Sequence, residues 1–233
     1  MDLKDKKALI TGSTDGLGKL LAATLVRKGT QVIIHGRNKE KVENSVKETG
    51  ASAGVVCDFN VPDGVVGAFS GMGDLDILVN NAGVWLEGNT VDAPPEKILE
   101  LVNVNLASHL LVTRTLLPKL QKAGFGQILN IVSIAGVEIP SGFYHTIYSA
   151  VKFGMQGFTE AMVKEFDNKN LRVMGFYPGG METKIFEKAG DKYLDHEPWM
   201  FDPKESVEAI IFMLTRDEKV NIKRLDLINH LQA

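Results

Sequence analysis

The chain has 233 residues, 44% of them hydrophobic and 24% charged, enough to bury one sizeable core. A net charge of -3 gives no global attraction to nucleic acid or an anionic membrane, and a single cysteine, Cys57, excludes an internal disulfide. The amino-terminal MDLKDKK lacks the apolar centre of a signal peptide and no apolar run approaches the ~20 residues of a membrane span, so a cytoplasmic, unprocessed chain is expected.

The first expected strand is KALIT (7–11). It runs into TGSTDGLG, which opens a helix pattern over 17–29. This loop fits neither standard phosphate-binding template. A G-x-x-x-x-G-K-[ST] loop needs glycine at Ser13 and a hydroxyl at Leu20. A strict G-x-G-x-x-G loop needs glycine at Leu21. What remains is T-G-x-x-x-G-x-G, with Gly12 for a tight turn, Gly16 for approach to a pyrophosphate and Gly18 for close helix packing. The stretch Gly12, Ser13, Thr14, Asp15, Gly16, Leu17 and Gly18 is therefore expected to hold a dinucleotide.

QVIIH (31–35) reads as the second strand, followed by Gly36, Arg37 and Asn38 and a helix over 38–49. AGVVC (53–57) is the third, ending at Asp58. Gly64, Gly67 and Gly71 predict only a brief helix before DILVN (76–80) and the turn Asn81-Ala82-Gly83. A long helix over 95–122 carries Asn103 and Asn105. QILNIV (127–132) leads to Ser133, and a helix over 147–168 carries Tyr148 and Lys152. LRVMGF (171–176) precedes Pro178 and Gly179. The mixed segment 181–203, with Met181, Phe186, Trp199 and Met200, breaks the rhythm and is expected to be a lid over a site or else a surface loop with its own helix. A helix over 204–215 and a strand LDLIN (225–229) complete the pattern. Near-continuous apolarity in the strands implies burial on both faces. Repeated β-α units predict a single α/β domain over 1–233, a doubly wound, mostly parallel sheet with helices on both faces.

Tyr148 and Lys152 lie four apart in a helix pattern and share one face. A tyrosine with a pKa of about 10 works near neutrality when its anion is stabilised, and a neighbouring ammonium does that. Ser133 falls at a strand's carboxyl end, where its hydroxyl can hold a substrate oxygen. The five histidines show no metal-ligand spacing, so no metal is expected.

Taken together, TGSTDGLG, NNAG (80–83), Asn105 in NVNL, Ser133, Tyr148/Lys152 and PGGMET (178–183) resemble the motifs of short-chain dehydrogenases/reductases, in order along nearly the whole chain. The resemblance implies a Rossmann fold and hydride exchange between a nicotinamide and a carbonyl or secondary alcohol. Tyr148 would be the acid/base, Lys152 its partner and a ribose ligand, and Ser133 the group that polarises the carbonyl. Asn105 would fix a proton-relaying water, with Asn103 as a competitor. Asp58 would bond the adenine amino group or else cap a helix, and Pro178, Gly179 and Thr183 would flank the carboxamide. Asn81, Ala82 and Gly83 would complete the cofactor contacts. Arg37 and Asn38, with Gly36 where an NAD site usually has an acid, favour NADP over NAD; Asp15 argues the other way. Trp85, Leu86, Glu87, Ile134, Phe143, Tyr144, His145, Met181, Phe186 and Trp199 outline a mostly apolar substrate pocket. A homodimer or homotetramer is implied, with no nucleic-acid or membrane partner. The rivals are a cofactor-binding sensor or scaffold without turnover, and an extended-type epimerase or dehydratase.

Overall fold

The computed structural model describes residues 1–139, 145–167, 169–191, 193 and 197–230. In chain order it contains β1 (Lys7–Ile10), α1 (Gly16–Arg27), β2 (Gln31–Gly36), α2 (Lys39–Thr49), β3 (Ala53–Val56), α3 (Val65–Ser70) and β4 (Ile77–Asn80). Then follow α4 (Pro95–Val102), α5 (Ser108–Lys122), β5 (Gly126–Ile131), α6 (Thr146–Glu165), β6 (Leu171–Pro178), α7 (Ile185–Ala189), α8 (Pro203–Leu214) and β7 (Arg224–Leu227).

The strands form one sheet in the order β3-β2-β1-β4-β5-β6-β7. Every pairing is parallel, so the sheet expected to be mostly parallel is wholly so among the described residues. The alternation of the pleat divides each apolar run between two cores. Leu9, Leu78, Ile128 and Val173 stand in register across β1, β4, β5 and β6 and pack with Val112, Leu116 and Met162 of α5 and α6. Their neighbours Ile10, Val79, Leu129 and Met174 face Leu21 and Leu25 of α1 and Ile210 and Met213 of α8. Both faces of the inner strands are covered, which explains why they read as continuous apolar runs, whereas the edge strands β3 and β7 keep exposed positions. The chain order reverses direction between β1 and β4, and the crevice at such a switch point is where α/β sheets bind ligands. The glycine-rich loop leaves β1 there and Asn81-Ala82-Gly83 leaves β4.

Two helices differ from the sequence pattern. The expected helix over 95–122 is α4 and α5 joined by a π-helical turn, Asn103–Ala107, which widens the backbone at Asn105. α6 ends at Glu165, with a Phe166 cap, and residue 168 of the expected span lies outside the described residues. The brief helix between β3 and β4 is α3, six residues long and holding Val65 and Phe69 in the core.

Arg172 on β6 is a buried charge that closes one end of the sheet. Its guanidinium donates to Gln127 Oε1 at 2.6 Å and to the carbonyls of Leu214, Asp217 and Val220 at 3.1, 3.0 and 2.7 Å. These carbonyls belong to the end of α8 and the turn after it, where helix geometry leaves acceptors unsatisfied. Arg172→Met is expected to cost about 3 kcal/mol, because several buried acceptors are stranded at once. Thermal unfolding should show a fall in Tm of roughly 10 °C. A Tm within 2 °C or so of the parent would mean that the guanidinium stabilises nothing.

Candidate active site

At the mouth of β1 the chain turns through Gly12 with φ of +63°. A Cβ there would lie 2.6 Å from the Ala82 Cα, so the turn and its contact with the β4 loop both require glycine. The two loops are tied through Thr11. Its hydroxyl accepts the N–H groups of Asn81 and Ala82 at 2.8 and 3.0 Å, and the Asn81 amide donates to the carbonyls of Thr11 and Gly12 at 2.8 and 3.1 Å. Asp15 caps α1 by accepting from the Gly16 N–H at 2.7 Å. It is not a free carboxylate, because Lys188 of α7 donates to its other oxygen at 2.7 Å. Burial raises the Asp15 carboxyl, but the Lys188 hydrogen bond, the Gly16 N–H and the charges of Lys188 and Lys184 outweigh it and leave its pKa below the usual value.

His35, near the end of β2, is a contributor that motif reading missed. Its Nδ1 accepts from the Gly12 N–H at 3.1 Å and its Nε2 lies 3.1 Å from the Cys57 carbonyl, which sets the neutral tautomer with hydrogen on Nε2. Burial pushes its pKa down to about 4, against opposing effects of Cys57 and Asp58. The ring stacks on Phe59 at 4.2 Å. The one available signal was a polar residue inside an otherwise apolar strand.

On the other side of the switch point β5 ends at Ser133, whose backbone has φ of +143° and ψ of +154°. That region is nearly closed to any residue with a side chain, and such strain gathers at functional sites. The Ser133 hydroxyl accepts the Ala135 N–H at 3.2 Å and lies near enough to the Tyr148 hydroxyl to favour its anion. The Ile134–Gly136 turn can reach α6 because Gly136 has no side chain: a Cβ there would meet the Lys152 carbonyl at 2.7 Å. Tyr148 and Lys152 are both buried on the same face of α6. Burial pushes the Tyr148 hydroxyl up, with the nearby Ser133 hydroxyl acting against it. Burial likewise lowers Lys152 to about 8. Its Nζ donates to the Ile131 carbonyl at 3.3 Å and stands 5.6 Å from the Tyr148 ring centre. Desolvation thus dominates this pair, so Tyr148 is held as the phenol.

An aromatic cluster packs over Tyr148. Trp85 lies 4.4 Å from its ring, and Phe186 and His145 lie 5.1 and 5.5 Å from Trp85. Tyr193 and Trp199 pack edge-on to Phe186, and Tyr193 donates to Glu87 at 2.5 Å. Phe186, Tyr193 and Trp199 come from segment 181–203, which is anchored by a bridge between Met181 and Phe201. Residues 192 and 194–196 of that segment, and the pocket candidates Phe143 and Tyr144, lie outside the described residues.

A cleft of about 350 Å³ joins these parts, lined by Gly12, Thr14, Asp15, Gly16, Leu17, Gly18, Arg37, Asp58, Asn81, Ala82, Gly83, Ser133, Tyr148, Lys152, Pro178, Gly179 and Thr183. Leu86 and Glu87 of the expected substrate pocket do not line it, nor do three of the expected catalytic and cofactor residues. Ser13 is buried, donating to the Ile10 carbonyl and accepting the His35 N–H. Asn38 turns its carbonyl oxygen to the Lys41 N–H as the cap of α2. Asn105 sits behind the wall, gripping the Val84 backbone through its Oδ1 and Nδ2 at 2.8 and 2.9 Å, whereas Asn103 points away to the Asn60 carbonyl. Asp58 accepts from the Asn60 N–H at 2.9 Å and borders the cleft. Arg37 lies 3.7 Å from Glu100. Lys19, beside the glycine loop, pairs instead with Glu48 on the surface. No cluster of His, Cys, Asp and Glu that could hold a metal occurs among the described residues.

The shape suits a long anionic molecule. The first turn of α1 opens onto the cleft, and a Cβ on Gly16 would find only Thr183, 3.8 Å away. Arg37, Lys184 and Lys188 bring positive charge to the same wall.

Comparison with known proteins places this arrangement. The short chain dehydrogenase family pattern matches residues 6–194. An uncharacterized oxidoreductase of Staphylococcus aureus (strain MW2) is 29% identical over 229 residues, covering 96% of each chain. Among solved structures, a gluconate 5-dehydrogenase from Burkholderia cenocepacia in complex with NADP and tartrate superposes with a TM-score of 0.83 at 26% identity, over 97% of this chain and 94% of that one. The closed form of a serine dehydrogenase complexed with NADP+ gives a TM-score of 0.87 at 25% identity, over 97% and 96% of the two chains.

Proposed function

Because the chain belongs to the short chain dehydrogenase family, we propose that it is an NADP-dependent oxidoreductase that interconverts a carbonyl and a secondary alcohol. The observation that carries this reading is the convergence of Ser133, Tyr148 and the buried Lys152 in one cleft with the glycine loop. The nicotinamide, when bound, supplies or accepts the hydride at the substrate carbon. The protein's own groups do the rest. The Ser133 hydroxyl holds the substrate oxygen. Tyr148, kept protonated by burial, delivers its proton to that oxygen on reduction and recovers it on oxidation. Lys152 holds the ribose and, with its pKa near 8, exchanges protons with solvent close to neutrality. Asn105, fixed on the π-helical turn, positions the water that links Lys152 to bulk.

Gly12, Thr14, Asp15, Gly16, Leu17 and Gly18 hold the pyrophosphate end, with Ser13 acting from behind the loop. Arg37 and Asn38 flank the adenosine ribose, Asp58 the adenine, and Asn81, Ala82, Gly83, Pro178, Gly179 and Thr183 the nicotinamide half. NADP in the two related structures supports the cofactor assignment. The wall formed by Trp85, Ile134, Met181, Phe186 and Trp199 favours a medium-sized, mostly apolar substrate, with segment 181–203 as its lid. The exposed Leu110 and Phe153 of α5 and α6 leave apolar surface for a homodimer or homotetramer. A cytoplasmic setting suits the single, free cysteine, and no described helix is long and apolar enough to cross a membrane.

The reading is tested by following NADPH and NADH oxidation with a panel of ketones, aldehydes and diketones. Turnover of at least one neutral ketone is expected, with kcat/KM for NADPH at least about tenfold above that for NADH. Tight NADPH binding with no turnover across the panel would instead make the protein a cofactor-dependent sensor.

A further inference from the structure

A carboxylate at the edge of a site for a doubly charged phosphate is an obstacle unless something neutralises it. Asp15 is such a carboxylate. The loop Thr14-Asp15 abuts the end of β2, where the adenosine ribose is read: a Cβ on Gly36 would lie 2.6 Å from the Thr14 Cγ2. Asp15, Thr14, Gly36 and Arg37 line the main cleft together. A second polar cleft opens on the far side of Asp15, with Lys19, Lys41 and Ser45 in its walls.

Asp15 is met by Lys188, whose ammonium donates to it at 2.7 Å. Lys188 lines both clefts. It lies on α7, within the segment whose Phe186 packs against Trp85 over Tyr148. Lys184, the residue that precedes α7, adds a second positive charge felt by Asp15. An ammonium has three protons, so Lys188 can bond Asp15 and still offer donors to a phosphate oxygen. Both side chains remain partly exposed, at 56% and 46%, so the pair adds little to folding and its removal leaves the fold intact.

We propose that Lys188 is a specificity-determining residue for the 2′-phosphate of NADP, cancelling the charge of Asp15 and pairing with the phosphate from the lid side. This rests on the NADP reading above and extends it. Cofactor selection and the reacting end then share one helix: α7 carries both Lys188 and Phe186, which packs against Trp85 over Tyr148. A cofactor without that phosphate leaves Lys188 with Asp15 alone and gains nothing from it.

The test is calorimetric titration of the whole chain with NADPH and with NADH, in the parent, Lys188→Ala, Asp15→Asn and the double variant. Lys188→Ala is expected to weaken NADPH roughly tenfold or more while changing NADH by less than about twofold. Adding Asp15→Asn to it should recover only part of that loss: the uncompensated carboxylate is then gone, but the ammonium that pairs with the phosphate is still missing. Equal weakening of both cofactors would assign Lys188 to the shared pyrophosphate and overturn the proposal, as would no change in either. If the parent binds NADH more tightly than NADPH, the NADP reading itself falls and this inference with it. A parent that prefers NADPH beside an inert Lys188→Ala overturns the role of Lys188 alone.

Discussion

Tyr148→Phe is expected to lower kcat by about 10³-fold while leaving NADPH affinity within about twofold. The substitution removes one oxygen and keeps the ring that packs 4.4 Å from Trp85. The Ser133 hydroxyl beside it still accepts the Ala135 N–H. Tm should therefore hold or rise slightly, since burying a phenol is costlier than burying a phenyl ring. The loss should fall on kcat rather than on cofactor binding, because proton transfer to the substrate oxygen happens only as the hydride moves. Burial raises the Tyr148 pKa, so the acid form persists through the alkaline range and the parent's reduction rate should show no loss assignable to Tyr148 at neutral pH. Steady-state rates beside calorimetric binding separate these effects. Turnover within tenfold of the parent would place the proton donor elsewhere. His145 would be the next candidate, its ring centred 6.3 Å from that of Tyr148 and in contact with Trp85.

The order of elements was legible because each is specified by neighbours in sequence. Leu9 and Ile10 go to different cores, yet both are apolar, so the run marks a strand without showing which residue faces which helix. The turn at Gly12 and the shared face of Tyr148 and Lys152 are equally local, and the structure has both. Contacts between distant segments were hidden. Nothing near Lys188 in sequence points to Asp15, 173 residues away. His35 reads as an oddity of one strand until Gly12 and Cys57 come to either side of its ring. The π-helical turn at Asn103–Ala107 is hidden for another reason: NVNLA has an ordinary helical pattern, and only the grip of Asn105 on Val84 explains the wider backbone. Asn38 shows the reverse, a residue read as a ligand whose carbonyl oxygen has a nearer use in capping α2.

Lys152→Met is expected to abolish turnover and, at neutral pH, to make the protein more stable. The ammonium of Lys152 is buried, and its pKa in the folded chain falls from 10.5 to about 8. The fold therefore disfavours the charged form. Below pH 8 the lysine is protonated in both the folded and unfolded chain, and the whole cost is present, about 3 kcal/mol at 1.36 kcal/mol per unit. Between pH 8 and 10.5 the folded protein releases a proton that the unfolded chain keeps, so the cost fades as pH rises. Methionine has similar length and no charge, and forfeits the 3.3 Å bond to the Ile131 carbonyl and the ammonium's place 5.6 Å from the Tyr148 ring centre. The variant should melt roughly 5–10 °C above the parent at pH 7, with the gap closing toward pH 10.5. Other titrating groups are common to both proteins and cancel in the difference. A variant less stable than its parent at pH 7, or a gap indifferent to pH, would show that the ammonium is solvated or paired in the fold. A gap that closes as described would mean that the fold tolerates a buried cation against its own stability. The position of Lys152 beside Tyr148, at the one place where a proton must be exchanged, is then what retains it.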